Sequence, residues 1–307
     1  MERVRRRWPR MLHPALMNAP MIYSADGREV LTSIYREYLD AGQSAGLPML
    51  LLTPTWRATL PRTEGGPFAG RDLNGDAARF MSVVRRNAGD YADQVVIGGL
   101  MGCRGDAYKP LEALPRAEAR TFHAWQAEAL RGGGVDLLFA STLPESGEAL
   151  GMAEAMAATG MPYLVSFILR PSGALLDGTP LDEAMDRIDG ETSPRPLGYM
   201  ANCVHTSTLA SALSTPAGGR ALAAGRFLGL QANTSALSPE ELDGRAEVDS
   251  EDPSAFAAGM VSLRARYGLR LLGGCCGTDG RHILALARAL AGAPGANRYL
   301  PIRSEGT

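Results

Sequence analysis

The chain has 307 residues, of which 45% are hydrophobic and 21% charged, with a formal net charge of −2. This length and composition suit one α/β domain or at most two, and the near-neutral charge excludes nucleic acid as an expected partner. No apolar stretch approaches the roughly 18 residues of a membrane-spanning helix, so we expect a soluble, cytoplasmic protein with no membrane partner.

The predicted elements alternate along the chain. Apolar residues one turn apart predict a first helix that Asp26 caps and Gly42 ends. Short apolar runs that predict buried strands then recur at Met49–Leu52, Val95–Ile97, Leu137–Phe139, Tyr163–Phe167, Leu197–Met200, Phe227–Leu230 and Leu269–Leu272. Helical periodicity separates them, for example at Phe122–Leu130, Glu148–Thr159 and Phe256–Tyr267. The pattern predicts βα units around a parallel sheet, with seven units visible against the eight of a complete barrel.

Polar residues follow the apolar runs rather than precede them. In a βα barrel these positions converge on one rim, which is the face where catalysis occurs. The candidate substrate contacts at this rim are Thr55, Ser141, Thr142, Asn202, Asn233 and Gly274. Two long connections, Pro54–Asp76 and Ser235–Pro253, also follow strands, and we expect at least one to contact substrate or another protomer.

Three cysteines predict a metal site at the same rim. Cys275 and Cys276 lie between glycines, and Cys203 comes far earlier in the chain. Zinc prefers about four ligands, so three protein thiolates leave one position for an exchangeable group. Such a site suits a thiol substrate better than an activated water. We therefore predict Zn²⁺ as cofactor, with Cys203, Cys275 and Cys276 as metal ligands and catalytic residues; the alternative is that these are ordinary small buried residues.

These motifs resemble those of the zinc-dependent homocysteine S-methyltransferases, a family with betaine-, S-methylmethionine- and cobalamin-linked members. The resemblance covers about residues 17 to 290, and it rests on Gly273–Gly277 and Asn202–Cys203 with support from Tyr38–Gly42, Gly133–Leu138 and Ser166–Arg170. It implies a (β/α)8 TIM-type barrel in which the three cysteines hold zinc. It further implies that zinc binds a substrate thiolate, whose sulfur attacks a methyl group on a sulfonium, quaternary ammonium or corrinoid donor.

The sequence departs from the family pattern at the substrate. Family members usually carry an Asp-Gly-Gly segment after the first strand and a Glu after the fourth, which helps to hold the ammonium of the amino-acid substrate. The first segment is missing here, and Ser141 stands at the Glu position. A neutral hydroxyl cannot replace a carboxylate as the partner of a desolvated ammonium. The sequence therefore does not determine which thiol is the substrate, for which homocysteine is the leading example. It does not identify the methyl donor either.

The N-terminal segment accounts for the missing strand. We expect residues 1–16 to be a divergent or truncated segment and residues 17–307 to form a homocysteine S-methyltransferase-like barrel domain. The barrel then either lacks its first strand or draws a divergent one from Trp8–Leu16, where Pro9 and Pro14 disfavour a central strand. An open barrel exposes two sheet edges, which favours a homo-oligomer.

Three functions follow from the sequence. The leading prediction is a zinc-dependent methyltransferase with a small thiol and a methyl donor as its partners. The alternative is a degenerate family member that keeps zinc but serves in binding, sensing or assembly. A redox role for the adjacent cysteines ranks third, because such a pair forms a strained disulfide ring and lacks Cys-x-x-Cys spacing.

Four individual residues near the rim can each be interpreted in two ways. His205 is either a fourth ligand or a helix cap, and Glu145 is either a displaced ammonium contact or a residue that starts a helix. Trp56 either stacks on a cationic donor or packs against the protein. Cys103 either approaches the metal or is a free buried thiol.

Overall fold

A seven-stranded parallel sheet forms the centre of the protein. The computed structural model describes residues 2–237 and 250–292. Its strands pair in chain order and are β1 (Met49–Leu52), β2 (Val95–Gly102), β3 (Leu137–Leu143), β4 (Tyr163–Phe167), β5 (Gly198–His205), β6 (Phe227–Asn233) and β7 (Leu271–Gly274). Every predicted apolar run overlaps one of these strands. The curled sheet and its surrounding helices confirm the predicted α/β class and the TIM-type barrel that is one strand short.

Helices occupy the connections between strands. They are α1 (Glu2–Arg7), α2 (Ala25–Ser44), α3 (Leu60–Glu64), α4 (Leu73–Arg86), α5 (Arg116–Gly132), α6 (Ser146–Ala158), α7 (Leu181–Glu191), α8 (Thr206–Leu213), α9 (Pro216–Ala223), α10 (Pro253–Tyr267) and α11 (Gly280–Ala291). Among these described helices, none has the length and apolar character needed to cross a membrane.

The first predicted helix begins two residues earlier than expected. Ser24 caps α2, with its Oγ accepting a hydrogen bond from Gly27 N at 3.1 Å. Ser24 has the extended backbone of a capping residue, at φ −107° and ψ 151°. The prediction that Asp26 caps this helix was therefore wrong, and Asp26 instead lies in the first turn, where its charge favours the helix dipole.

The barrel interior is filled by large apolar side chains. Those that meet there from successive strands are Val96, Leu137, Phe139, Leu164, Met200 and Leu228. They form a packed core rather than a pore, so small molecules are confined to the rim. The predicted substrate residues lie on that rim, where polar side chains replace the apolar layers.

The sheet does not close between β1 and β7. Among the described residues, no strand pairs with the outer edge of either one. The helix layer closes instead, because α2 packs against α11 at this point through an apolar cluster that includes Ala41, Leu47 and Ala287. The Tyr35 hydroxyl of α2 also donates a hydrogen bond to the Leu52 carbonyl at 2.8 Å.

The segment Trp8–Leu16 does not supply the missing strand. It contains a short 3-10 turn at Pro9–Met11, and His13 forms an isolated antiparallel bridge to Met17. Leu16 is buried against α2 and α4 rather than in the sheet. The proline content that disfavoured a central strand agrees with this conformation.

The two long connections differ in what can be described. Pro54–Asp76 contains α3 and the start of α4, so most of it is ordered against the barrel. Ser235–Pro253 lies largely outside the described residues, as does the predicted end of the domain at residue 307.

Candidate metal and active site

Three sulfur atoms meet at the carboxyl rim of the barrel. Cys203 lies near the end of β5, and Cys275 and Cys276 directly follow β7. Cys203 Sγ is 2.8 Å from Cys275 Sγ and 4.0 Å from Cys276 Sγ, and the three sulfurs all lie within 4.8 Å of one another. The parallel barrel therefore brings together the three residues that the sequence selected as metal ligands.

This arrangement fits a metal ion held by thiolates. Two zinc–sulfur bonds of about 2.3 Å at a tetrahedral angle place their sulfurs about 3.8 Å apart. The separation of Cys203 and Cys276 is close to that value, whereas the 2.8 Å contact between Cys203 and Cys275 would have to widen by about 1 Å. Cys203 is buried, Cys275 is half-buried and Cys276 is exposed, so the cluster opens toward solvent on one side.

An asparagine beside Cys203 fixes the local backbone. Cys203 and Thr142 both have left-handed backbones, at φ 56° and φ 63°, and such angles cost about 1–3 kcal/mol in a residue other than glycine. Asn202 Oδ1 accepts hydrogen bonds from Thr142 N at 2.9 Å and from Ser166 Oγ at 2.7 Å. Asn202 Nδ2 donates to Thr142 Oγ1 at 2.9 Å. The buried amide thus links β3, β4 and β5 and holds the strained positions.

A second asparagine holds the adjacent cysteines. Cys275 N donates to the Ala232 carbonyl at 2.7 Å, which extends the pairing of β6 with β7. Cys276 N donates to Asn233 Oδ1 at 3.1 Å. Asn233 therefore contacts the turn that carries two of the three sulfurs.

The glycines around the cysteine pair are required by close contacts. A Cβ atom at Gly277, whose φ is +80°, would lie 1.8 Å from Thr234 Oγ1. A Cβ atom at Gly274 would lie 2.4 Å from Thr278 Oγ1, which itself donates to the Cys275 carbonyl at 2.7 Å. Packing therefore explains Gly274, which the sequence marked as a substrate contact; that role stays a prediction.

The three thiols differ in acidity because they share hydrogen bonds. Bonds from Cys203 and Cys276 hold the pKa of the Cys275 thiol well below its usual value. The bond to Cys275 raises the pKa of Cys203 well above its usual value, and burial adds to the rise. For Cys276 the bond with Cys203 lowers the pKa, but the bond and charge of Cys275 together with burial raise it to about 12. Of the three thiols in the metal-free cluster, Cys275 is therefore the most acidic.

The opposite side of the mouth carries hydroxyl groups. Ser141 is 6% exposed, and its Oγ lies 3.1 Å from Thr142 Oγ1. Thr55 is fully buried, with its hydroxyl donating to the Leu100 carbonyl at 2.7 Å. The structure therefore places Ser141 and Thr142 beside Asn202 but directs the Thr55 hydroxyl into the sheet. Their contacts with substrate stay predictions.

The sequence allowed two roles for several rim residues. In the structure His205 and Glu145 cap helices, and Trp56 packs against the protein. His205 Nδ1 accepts a hydrogen bond from Ser207 N at the start of α8. Glu145 caps α6 by accepting from two backbone N–H groups. The Trp56 ring packs over Gly102 and has the Arg57 guanidinium 4.2 Å from its centre. These contacts account for His205 and Glu145, whereas the buried Trp56 Nε1 has no hydrogen-bond partner within the described part of the chain.

Cys103 is a separate buried thiol. It is 2% exposed and lies just beyond β2, where its sulfur contacts the Gly105 carbonyl at 3.6 Å. Burial and the nearby charge of Glu148 raise its pKa to about 12. Cys103 lies outside the three-sulfur cluster and packs in the main apolar core, so it is a buried core thiol.

Sequence reasoning missed Tyr108. This residue lies on the loop after β2, where the charges of the three cysteines act on its phenol. Burial, followed by the charges of Cys203 and its two partners, raises the pKa of the phenol. The only available signal was its place after a strand, which it shares with every residue of that loop.

Comparison with known proteins gives the family. A family model for homocysteine S-methyltransferase matches residues 5–290. Fold and match together define the class as a thiol S-methyltransferase. The chain belongs to the homocysteine S-methyltransferase family, as its cysteine motifs predicted.

Individual relatives are distant. Betaine–homocysteine S-methyltransferase 1 from Bos taurus is 25% identical over 289 residues, which cover 90% of this chain and 67% of that protein. Homocysteine S-methyltransferase from Escherichia coli (strain K12) is 30% identical over 189 residues, covering 60% of this chain and 55% of the relative.

Solved structures agree on the fold. The metallated form of the homocysteine methyltransferase MmuM from Escherichia coli superposes with a TM-score of 0.66 at 22% sequence identity. The match covers 88% of this chain and 87% of that one. At this identity the likeness establishes the shared architecture.

Proposed function

We propose that the protein is a zinc-dependent methyltransferase that moves a methyl group from a sulfonium, quaternary ammonium or corrinoid donor to a small thiol such as homocysteine. The observation that carries the proposal is the convergence of the Cys203, Cys275 and Cys276 sulfurs within 4.8 Å at the barrel rim. A site of three thiolates that opens to solvent suits an ion with one exchangeable position.

Zinc held by the three cysteines would supply a Lewis acid that keeps a substrate thiol deprotonated at neutral pH. The protein's own residues supply the geometry. Asn202, which precedes Cys203, ties β5 to Thr142 and Ser166, and Asn233 accepts a hydrogen bond from the backbone N–H of Cys276. Rigid elements thus set the direction from which a thiol and a methyl donor approach each other, which favours in-line displacement.

The walls of the mouth determine what surrounds the reacting sulfur. The apolar layers below the rim close the floor of the barrel. Trp56 and Tyr108 approach from the loops after β1 and β2. A mouth with little water favours attack of a thiolate on a cationic donor, because opposite charges are cancelled in that step.

Metal content and methyl transfer test the proposal together. We expect the purified protein to contain about one zinc ion per chain by plasma mass spectrometry, since one three-cysteine cluster is present. Homocysteine and thiols that lack an ammonium group should each be assayed against S-methylmethionine, betaine and methylcobalamin. Bound zinc without turnover anywhere in this panel would contradict the proposed activity.

The neutral side chain at position 141 favours a second candidate function. Ser141 offers no charge to a substrate ammonium, so a zinc-bound protein that serves in binding, sensing or assembly is the alternative. Zinc content without turnover would support this alternative. Turnover restricted to thiols without an ammonium group would instead redefine the substrate.

The proposal also includes a cellular setting. All four cysteines are free thiols, which suits the reducing conditions of the cytoplasm. The unpaired edges of β1 and β7 among the described residues support the expected homo-oligomer.

A further inference from the structure

Two arginine side chains meet above the carboxyl ends of β1 and β2. Arg57 and Arg62 lie on the connection after β1, and Arg104 follows the end of β2. Arg57 Nη1 donates a hydrogen bond to the Arg104 carbonyl at 3.5 Å, and Arg62 Nη2 donates to the same oxygen at 3.3 Å. Because the two guanidinium groups share one acceptor, they lie side by side. The loops of the rim therefore hold two positive charges together.

Backbone carbonyls fix both guanidinium groups in place. Arg57 Nη1 also donates to the Gly105 carbonyl, and its guanidinium lies 4.2 Å from the centre of the Trp56 ring. Arg62 Nη1 donates to the Ala15 carbonyl at 3.0 Å. These bonds use only some of the five N–H donors that each arginine carries. Both side chains are thus held in defined positions and keep N–H groups for a ligand.

No carboxylate forms an ion pair with these arginines within the described part of the chain. Asp106 and Glu112, on the loop after β2, both face Lys109. The buried Glu148 carboxylate contacts His123 and two backbone N–H groups instead. The positive charge above β1 and β2 is therefore left without a negative partner among the described residues.

The uncompensated charges act on one another. Burial lowers the pKa of Arg62, and the charges of Arg57 and Arg104 lower it further. Arg57 and Arg62 are half-buried, while Arg104 is exposed. Like charges held this close destabilise the folded protein, and an anion bound between them removes that repulsion. The cluster is therefore suited to an anion that reaches it from solvent.

We propose that Arg57 and Arg62, with the exposed Arg104 beside them, bind a dianionic group of a substrate or methyl donor, such as a phosphate ester or a pair of carboxylates. A planar guanidinium binds such oxyanions through two parallel hydrogen bonds. The positive charge of the cluster exceeds what a single carboxylate neutralises, which favours a group with two negative charges. The inference rests on the proposed function only where it assigns this group to a reactant.

Binding of simple anions tests the site directly. In isothermal titration calorimetry of the purified protein, inorganic phosphate or succinate should bind at least about fivefold more tightly than acetate, which carries one charge. Phosphate as the tighter dianion would identify a phosphate ester as the ligand group, and succinate would identify paired carboxylates. Acetate binding as tightly as both dianions would overturn the preference for two charges.

Removal of single charges tests the residues. Arg104→Gln should weaken binding of the tighter dianion about fivefold, and Arg62→Gln should weaken it at least as much. In a buffer without these anions, Arg104→Gln should also raise the melting temperature, because one like charge is removed. Arg86→Gln is the matched control, since Arg86 is exposed in the last turn of α4 at the other end of the barrel, and it should bind like the wild type.

The outcomes separate the anion site from the proposed reaction. Wild-type affinity for both dianions in Arg104→Gln and Arg62→Gln would overturn the site, and a lower melting temperature in Arg104→Gln would show that its charge is already compensated. The tighter dianion should inhibit methyl transfer competitively, and binding without competition would overturn the assignment to a reactant. A wild-type protein that binds the dianion but transfers no methyl group would overturn the proposed function while the anion site stands.

Discussion

The two sides of the barrel mouth are built differently. On the side of β5, β6 and β7, three sulfurs gather, and two asparagines hold their backbones in place. On the side of β1, β2 and β3, the polar groups at the strand ends are the hydroxyls of Thr55, Ser141 and Thr142, which bond within the protein. The first side carries reactive sulfurs, and the second presents uncharged hydroxyl groups at the ends of β1 and β3.

The difference separates reaction from recognition. A thiolate cluster determines that a sulfur nucleophile can be held, whatever the rest of the substrate is. The opposite wall is where we expect the rest of the thiol to bind, and there Ser141 stands at the position where a carboxylate is expected. The structure therefore constrains the chemistry more tightly than it constrains the substrate.

The largest expected effect comes from removing one sulfur. Cys203→Ala should reduce methyl transfer at least about 100-fold, beyond the usual effect of losing a partner of a ligand, and should abolish stoichiometric zinc binding. Steady-state kinetics and metal analysis provide the measurements. Cys103→Ala is the matched control, because that thiol lies outside the cluster, and it should retain both properties. Equal losses of methyl transfer and zinc binding in Cys203→Ala and Cys103→Ala would show that neither property depends specifically on the three-sulfur cluster.

Zinc affinity should rise steeply with pH. The raised pKa values of Cys203 and Cys276 keep both thiols protonated near pH 7, whereas the lowered pKa of Cys275 makes it the first of the three to lose its proton. Binding must therefore displace at least two protons, and affinity should increase at least about 100-fold per pH unit until those thiols ionise. Calorimetry in two buffers of different ionisation enthalpy measures the proton count. Release of fewer than two protons near pH 7 would contradict the raised pKa values of Cys203 and Cys276.

Asn202 should contribute to both stability and metal binding. Asn202→Ala leaves Thr142 N and the Ser166 hydroxyl without their partner and should lower the free energy of unfolding by about 2 kcal/mol. Urea denaturation provides the measurement. Asn74→Ala is a matched control, since Asn74 is equally buried and bonds the Ala58 carbonyl away from the cysteines. It should destabilise similarly but leave zinc affinity unchanged, and a loss of affinity there would contradict the specific role of Asn202.

The smallest expected effect comes from placing a charge at position 141, beside the barrel mouth. Ser141→Glu restores a carboxylate at the mouth and should lower KM for homocysteine about tenfold, because a charge-assisted hydrogen bond to an ammonium is worth about 1.5–3 kcal/mol and its burial offsets part of this. Thiols without an ammonium should gain nothing. Ser141→Gln has the same size without the charge, so an equal gain there would show that shape rather than charge limits recognition.

The sequence by itself determined the architecture and which three cysteines the barrel brings together. Apolar runs located all seven strands because buried parallel strands are apolar on both faces. The rule that strands of a barrel share one catalytic rim then placed Cys203 near Cys275 and Cys276. The helix cap was predicted less accurately: Asp26 and Ser24 both suit a helix start, and the hydrogen bond from Gly27 N to Ser24 Oγ shows that Ser24 is the cap.

Tertiary structure alone decided the contacts between distant segments. The bonds of Asn202 to β3 and β4, the bonds of Glu148 to the backbone at residues 104 and 114, and the closure of the helix layer by α2 and α11 all join residues far apart in the chain. Periodicity reports only whether a residue is buried, whereas these contacts depend on the side-chain directions and loop paths that the assembled barrel imposes.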